Sequence, residues 1–552
     1  MLGTQKSLKN IKKYLEGKAG SSMLSMKVLR YVLAVGFVLA PWLGGEAYAD
    51  TPVGNIVLKD VTGNQIASGT ANIYVNENKI SNGVGLNEFT HFVVGEGQYA
   101  NIHFATDANG SNPLHTVVNT VQNQIGIYGT VNAIRNGKIG GNLYFISPAG
   151  MIVGSTGVIN AGSLTMVAKS VTISTADEAA TKVSQGWGPP DSGTSIYIHG
   201  RINTETGIDL QTETVNITKA DGQNIPDPYL HTGVVFNDIV NADFTNVQTY
   251  SITERRLDLT KDANGNISII NPVNKTNIGS KEVTSSGDGT INIRAQTSSG
   301  QEYSGTFVLT DGSIDAIGEL QMDVGKDITI SSASIIKANK ITMSNNNDNI
   351  ENDGTIEGIS DVTIHVLGAD NNFFVTGQGD QKYGTNCLVN RGTIKSTGGG
   401  ISLLGRNGIS NYGIIEANGQ IDMTALNGVV NQGMIKSNNS NVSFVVGREF
   451  FNVAKNDTYN IATYVPHNLT YLNNNVEVLI EAGGNVQISY TNPSTGTIGK
   501  NPNDTDDVTY APIGIYNSST MRSGTNISAT GGEGNVSGSG SGNIWLTSSY
   551  NI

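Results

Sequence analysis

GTVNAIRNGKIGGNLYFISPAGMIVGSTGVINAGSL, residues Gly129 to Leu164, is the stretch that decides the fold. Glycines and Ser147-Pro148 interrupt its short β-type runs every few residues, which predicts a coil of short strands that turns at the glycines. An antiparallel meander in a sandwich fits this stretch equally well. In the coil, alternate apolar side chains should point inward: Val131, Ile134, Ile139, Leu143, Phe145, Met151, Val153, Val158 and Leu164.

A repeat of about 20 residues becomes explicit after Ser313. Asn352, Asn390, Asn411 and Asn431 each begin an Asn-x-Gly-x-Ile pattern, and the last three are 21 and 20 residues apart. Repeats of this length predict an all-β fold, a right-handed parallel β-helix (solenoid) with extra-helical hairpins and loops. Stacking would align the asparagine amides in one column and fill the interior with Ile394, Ile415 and Ile435.

The first 49 residues are typical of an extended signal peptide. Basic residues precede an apolar run from Tyr31 to Leu43, and Ala47-Tyr48-Ala49 fits the small-x-small cleavage pattern, which would leave Asp50 first. An initiator methionine further along would give a signal of ordinary length. The apolar run is shorter than the roughly 20 residues that a membrane-spanning helix needs. We therefore expect the protein to be exported, with residues 1–49 removed.

Charge and composition disfavour nucleic-acid binding and enzymatic activity as functions of this protein. The signal segment carries seven basic and two acidic residues, so the mature chain has a net charge of −13 − 5 = −18, which disfavours nucleic acid as a partner. Cys387 is the single cysteine, so an internal disulfide is excluded. HExxH, GxSxG and Cys/His clusters are lacking, and we expect neither an enzyme nor a cofactor or metal. The alternative is a β-helical polysaccharide lyase or hydrolase, which would require clustered carboxylates.

Two segments carry a resemblance to a known family. The first contains Ser147, Pro148, Ala149, Gly150, Met151, Gly154, Asn160 and Gly162; the second contains Asn87, Phe89, Phe92, Gly95 and Gly97, and Asn119 lies between them. They resemble the N-terminal secretion domain of two-partner secretion exoproteins, the filamentous haemagglutinins and leukotoxin-type filamentous adhesins. That family has Asn-Pro-Asn-Gly-Ile/Leu at the first segment, whereas serine and alanine replace both asparagines here.

The resemblance implies an organisation and a function. By the resemblance, residues 50–240 would be the secretion domain. The repeats predict a β-helix repeat region with insertions over 241–527, and composition predicts a Gly/Ser-rich connector with a truncated-looking strand over 528–552. The secretion domain would be bound by the periplasmic domains of a partner outer-membrane barrel transporter. The rest would be a secreted or surface-exposed adhesin that binds a host-cell or bacterial surface receptor or glycan. The alternative reading is the carrier part of a larger toxin.

Overall fold

The computed structural model describes most of the chain after residue 54. The described residues are 55–58, 69–220, 228–236, 250–257, 259–261, 267–269, 276–277, 289–299, 302–368, 386–425, 428–447, 449–452, 476–490, 514–517, 519–525, 527–530, 537–538 and 544–547. They belong to one compact unit, 52–552. The predicted cleavage residues Ala47, Ala49 and Asp50, and the predicted boundary at residue 240, lie outside the described residues.

The protein is all-β, and most strands pair in parallel into ladders that we name A, B and C. The longest strands belong to two ladders: Val84–Val94 runs from A into B, and Val158–Val167, Arg201–Thr212, Ser313–Val324 and Ile335–Asn345 run from C into A. Ladder A also contains Thr116–Val121, Asn142–Ile146, Thr290–Ala295, Val362–Val366, Ile401–Gly405, Ile421–Ala425, Val442–Val446, Val486–Tyr490, Ile527–Thr530 and Ile544–Thr547.

Ladders B and C are built in the same way. Ladder B contains Ile125–Ile127, Met151–Val153, Ser195–Ile198, Thr214–Thr218, Thr306–Thr310, Ile328–Ile330, Ile350–Asn352, Cys387–Asn390, Gly408–Asn411, Gly428–Asn431, Glu449–Asn452, Gly514–Asn517 and Ser537–Gly538. Ladder C contains Thr70–Ile73, Tyr99–His103, Thr130–Arg135, Tyr229–His231, Thr355–Gly358, Thr393–Ser396, Ile414–Ala417, Met434–Ser437, Leu479–Ala482 and Thr520–Ser523. We call consecutive A, B and C strands a row.

The remaining strands pair antiparallel or outside the ladders. Asn55–Leu58 and Ile80–Ser81 pair antiparallel with the strand Val84–Val94, and Lys138–Ile139 forms a hairpin with Thr130–Arg135. Small separate sheets contain Val234–Phe236, Tyr250–Leu257 and Thr276–Asn277; Leu259–Lys261 and Ile267–Ile269; and Thr297–Ser299 and Glu302–Ser304. One 3-10 turn spans Glu77–Lys79.

Parallel pairing excludes the meander for the stretch 129–164. Strand Asn142–Ile146 pairs in parallel with strands on both sides, and so does Met151–Val153. In the repeat region, Ile394 pairs with Ile415 and Ile415 with Ile435, and all three side chains are fully buried. Each strand therefore turns one set of side chains inward, where successive rows stack on one another.

Two of the expected inward residues are assigned wrongly. Ile134 and Val158 are half-buried, whereas their neighbours Ala133 and Ile159 are fully buried; the other expected residues are buried. The expectation that glycine would interrupt the strand at Gly162 is also wrong. Strand Val158–Val167 continues through it with a register shift between residues 161 and 163. An added Cβ at Gly162 would lie 2.5 Å from the Gly141 nitrogen, so glycine here permits close backbone approach.

A helix and a C-terminal strand correct two further expectations. Helical periodicity is nearly absent from the sequence after the signal segment, yet Ala176–Gln185, here α1, is the one α-helix among the described residues. Thr175 and Glu178 form its capping box, a pattern that is visible in the sequence. The predicted connector from residue 528 is wrong at its start, because Ile527–Thr530 is a strand that pairs with Ile544–Thr547.

The outer face of ladder C carries a column of alternating charge. Its members occupy paired positions in successive strands, in the order Asp315, Lys337, Glu357, Lys395, Glu416, Lys436, Glu481 and Arg522. Nζ–Oε distances are 3.3 Å for Lys337–Glu357, 3.5 Å for Lys395–Glu416 and 3.2 Å for Lys436–Glu481. Every carboxylate in this column therefore has a cationic neighbour in the next or preceding row.

Cys387 should be unreactive in the folded protein. Burial raises the pKa of its thiol to about 12, so the thiol is neutral at pH 8, and the reactive thiolate is scarce. We expect a disulfide reagent such as DTNB to label native protein at pH 8 at least about 100-fold more slowly than protein unfolded in urea. The unfolded chain is the control, and equal rates in the two states would contradict the burial of the thiol.

Candidate functional site

The upstream motif residues lie in the first described strand of ladder A. Phe89 and Phe92 are buried in the core with ring centroids 5.2 Å apart, and Phe92 is 5.1 Å from Phe145 of a later row. Asn87 donates from Nδ2 to Asn119 Oδ1 at 3.1 Å, and Asn119 donates to the Tyr144 carbonyl at 3.0 Å. These motif residues therefore connect successive rows through buried rings and amides.

Gly95 and Gly97 form the turn that follows this strand. The Gly95 N–H donates to Gln98 Oε1 at 2.9 Å, and the Gln98 N–H donates to the Gly95 carbonyl at 3.0 Å. Gly97 has φ +71° with open space where a Cβ would be, so only its backbone conformation requires glycine. The turn is therefore closed by reciprocal hydrogen bonds between its two ends.

Ser147 performs the hydrogen bonding expected of an asparagine at a turn. Its hydroxyl is buried, donates to the Asn123 carbonyl at 2.9 Å, and accepts from the Ala149 N–H at 3.1 Å. A side-chain oxygen that accepts from the N–H two residues ahead is the geometry of Asx and Ser/Thr turns. Pro148 and Ala149 are exposed at the tip. The serine therefore preserves the turn despite the difference from the family motif.

Gly150 closes that turn in a conformation that side chains disfavour. Its φ is +77°, and an added Cβ would overlap the carbonyl oxygen of Ser195 in the next row. The Gly150 carbonyl accepts from the Ile125 N–H at 3.2 Å, and Met151 beside it is fully buried. The turn 147–150 is thus held between the preceding and the following row.

The downstream residues Gly154 and Asn160 also join rows. An added Cβ at Gly154 would overlap the Tyr128 ring. Asn160 belongs to a column of amides in which each Nδ2 donates to the preceding Oδ1 at 3.0–3.2 Å: Asn72, Asn101, Asn132, Asn160 and Asn203. Asn72, at its start, is exposed, and the other four are buried. This column is not evident from the sequence, because insertions make the spacing of its members irregular: 29, 31, 28 and 43 residues.

The predicted asparagine column of the repeat region forms a second amide ladder. Asn352, Asn390, Asn411 and Asn431 are fully buried, and each donates from Nδ2 to the next Oδ1 at 2.8 Å, ending on Asn452. The preceding row has Ile330 at this position, and Asn352 Oδ1 has no partner within the described residues. The ladder therefore begins at Asn352, where an amide replaces an aliphatic side chain.

A segment that contains α1 covers the outer face of ladder A over the rows that contain the motif residues Asn87 to Gly162, which we call the motif rows. We call residues 169–193 the cap segment. Its apolar residues form a separate buried cluster with outward-facing residues of ladder A: Val84, Leu86, Val118, Ile146, Val167, Ile173, Ala179 and Trp187. Trp187 packs against Tyr144 with ring centroids 6.0 Å apart. The motif rows are therefore buried on both faces of their sheet.

Polar contacts attach the cap segment to the first rows. Lys79 Nζ lies 2.8 Å from Glu88 Oε2 and donates to the Ser174 carbonyl at 2.7 Å, and the Ser81 hydroxyl donates to Asp177. At the start of α1, the backbone N–H groups of Ser174 and Thr175 lower the pKa of the Glu178 carboxyl. The capping box is therefore complete at neutral pH and weakens as Glu178 becomes protonated in acid.

The histidines of the motif rows make separate contacts. His91 Nε2 lies 3.2 Å from Asn123 Nδ2, His103 Nε2 lies 3.0 Å from Asn72 Oδ1, and His115 Nε2 lies 3.0 Å from the Asn82 carbonyl. Within the described part of the chain, no group of three or more His, Cys, Asp or Glu side chains could hold a metal ion.

Two comparisons with known proteins bear on the family. No family model matches the chain, and a search of curated proteins found no match. Among the residues that the structure describes, no helix is long and apolar enough to cross a membrane. The resemblance to two-partner secretion exoproteins rests on the motif residues alone.

Proposed function

We propose that ladders A, B and C are the faces of a right-handed parallel β-helix, and that each row is one coil. The support is the constant A, B, C order of strands and their parallel pairing with the rows before and after. Consecutive strands of the repeat region pair at the spacing of the Asn-x-Gly-x-Ile pattern. In this arrangement each coil is stabilised mainly by its neighbours.

On this fold the protein is an exported, filamentous adhesin-type exoprotein. Residues 50–240 direct export through a partner outer-membrane barrel transporter whose periplasmic domains bind the unfolded chain by strand addition. The rest acts outside the outer membrane, where its outer surface meets a receptor. The observation that carries this proposal is that the two motif segments lie two rows apart in one stack, with the row of Asn119 between them. Phe92 packs against Phe145, just before the turn 147–150, and Asn87 donates to Asn119.

The physical route for such export is sequential folding. Each row offers the next one a complete set of backbone partners and an apolar surface, so folding can propagate from the first rows outward. The cap segment covers the outer face of those rows, which gives the nucleus more buried area than a single sheet face. Folding outside the membrane would then oppose backward movement of the chain.

Export should depend on the partner transporter. Residues 1–240 and the full chain, expressed with the transporter, should appear in the medium or on the surface; without it, both should remain in the periplasm. A reporter fused to residues 1–49 alone is the control and should reach the periplasm in both strains. Equal surface delivery in the two strains would overturn the proposal.

A further inference from the structure

The outer face of ladder A changes character where the cap segment ends. In the motif rows its outward residues are apolar, as at Ile146 and Val167. In register beyond Val167 come Gln211, Arg294, Asp323 and Ser344. The neighbouring column continues from Tyr144 through Thr165, Asp209, Asn292, Gln321 and Thr342. Amides, hydroxyls and carboxylates thus replace the apolar surface.

Hydrogen bonds organise these polar side chains before any ligand binds. Gln211 Nε2 donates to Asp209 Oδ2 at 2.7 Å. Asn346 Nδ2 donates to Asp323 Oδ1 at 3.2 Å and to Gln296 Oε1 at 2.8 Å, and Gln296 in turn donates to Asp323. The carboxylates and amides are therefore held in fixed positions, which lowers the entropic cost of binding.

Arg294 lies between the two carboxylates. It pairs with Gln211 on one side and Asp323 on the other, and its exposed guanidinium acts electrostatically on both Asp209 and Asp323. Burial nevertheless raises the pKa of both carboxyls. Partly desolvated carboxylates beside an exposed cation differ from ladder C, whose charges form ion pairs along the column.

We propose that this face of ladder A, from Asp209 to Asn346, binds a neutral, hydroxyl-rich polysaccharide. Carboxylates and amides present the paired acceptors and donors that adjacent sugar hydroxyls require, and the Arg294 fork adds planar donors. Asp209, Asp323 and Arg294, together with the Glu319–Lys340 ion pair on the same face, leave a net charge of −3 + 2 = −1, which disfavours anionic polymers. Successive rows are about 4.8 Å apart, comparable with one sugar unit, so an extended chain can contact several rows.

Half-buried Tyr144 and the cap segment border this face. Tyr144 lies in the same column as Thr165 and Asp209, and Trp187 packs against its ring. The polar surface thus begins directly beside the motif rows, where the cap segment stops covering the sheet. The inference rests on the proposed function, because export is what would expose this face to extracellular glycans.

Affinity electrophoresis of the purified full chain tests the inference without any export step. Gels contain dextran, amylopectin or yeast mannan as neutral probes, and polygalacturonate as an anionic one. At least one neutral polymer should retard the protein more than polygalacturonate does. Arg294→Ala and Asp323→Asn should each weaken that binding at least about 10-fold, since each removes charge-assisted hydrogen bonds.

Glu416→Ala on ladder C is the matched control and should leave retardation unchanged. Arg294 is exposed, so its replacement leaves the core intact and the test does not depend on a buried variant. Retardation by none of the neutral polymers, stronger binding to polygalacturonate, or equal losses in all three variants would overturn the inference. Failure of partner-dependent export with binding intact would instead count against the proposed function alone.

Discussion

Replacement of Gly150 by alanine should destabilise the motif rows by about 2–5 kcal/mol, because a positive φ and a backbone overlap act together. The residue has φ +77°, and its new Cβ would overlap the Ser195 carbonyl oxygen. Backbone of the next row cannot move away without disturbing the pairing of Met151 with Ile196. Hydrogen–deuterium exchange measures this loss of stability: the amides of strands Met151–Val153 and Ser195–Ile198 should exchange faster in the variant.

Gly97→Ala is the matched control for this prediction. Gly97 has nearly the same φ, +71°, but no atom lies within 4 Å of an added Cβ. In this variant the free energy of unfolding should fall by only about 1–2 kcal/mol, which is the cost of a positive φ for alanine. If hydrogen–deuterium exchange is equally fast in the two variants, the overlap with Ser195 does not destabilise the protein. That result would contradict the close packing of the turn 147–150 against the next row.

Replacement of Asn411 by leucine should cost about 2–4 kcal/mol, since it interrupts the second amide ladder in the middle. Asn411 accepts from Asn390 and donates to Asn431, each at 2.8 Å, and it is fully buried. Leucine has a similar size but cannot form hydrogen bonds. Asn390 Nδ2 would therefore lose an acceptor, and Asn431 Oδ1 would lose a donor. Exchange should accelerate in strands Cys387–Asn390 and Gly428–Asn431.

Asn352→Leu provides a control within the same ladder. Asn352 makes one ladder bond, to Asn390, and its own Oδ1 has no partner among the described residues. Its replacement removes that bond and also an unpaired buried oxygen, so the loss should be less than half of that for Asn411→Leu. An equal or larger loss would mean that the amide ladder does not stabilise the stack through its repeated bonds.

The repeats from Asn390 to Asn431 could be predicted closely because no insertion interrupts their period. Asn390, Asn411 and Asn431 recur at 21 and 20 residues, and one strand per ladder fits in each interval. Where every repeat has the same length, aligning the sequence with itself also aligns the strands. The positions of Ile415 and Ile435 in the interior follow directly from that alignment.

The motif rows were harder to predict from the sequence, because glycines, strand patterns and a helix cap occur close together there. Glycines in this stretch predict interruptions between strands, but Gly162 lies within a strand whose register shifts, so the inward residue is Ile159 instead of Val158. Such a bulge depends on how closely the neighbouring backbone approaches, and this cannot be read from a single sequence. The helix α1 was readable from Thr175 and Glu178, and it was missed because strand patterns dominate its surroundings.

The alternating charges of ladder C can keep the rows in their correct order. If strand Ile414–Ala417 skipped a row and paired with Thr355–Gly358, Ile415 would fit on Ile356 as well as it does on Ile394. Glu416, however, would then face Glu357 and lose the lysine beside it. Like charges opposite one another are destabilising. The buried isoleucine columns thus make the repeats interchangeable. The charge column makes them alternate in sign, so pairing that skips one row places like charges opposite one another.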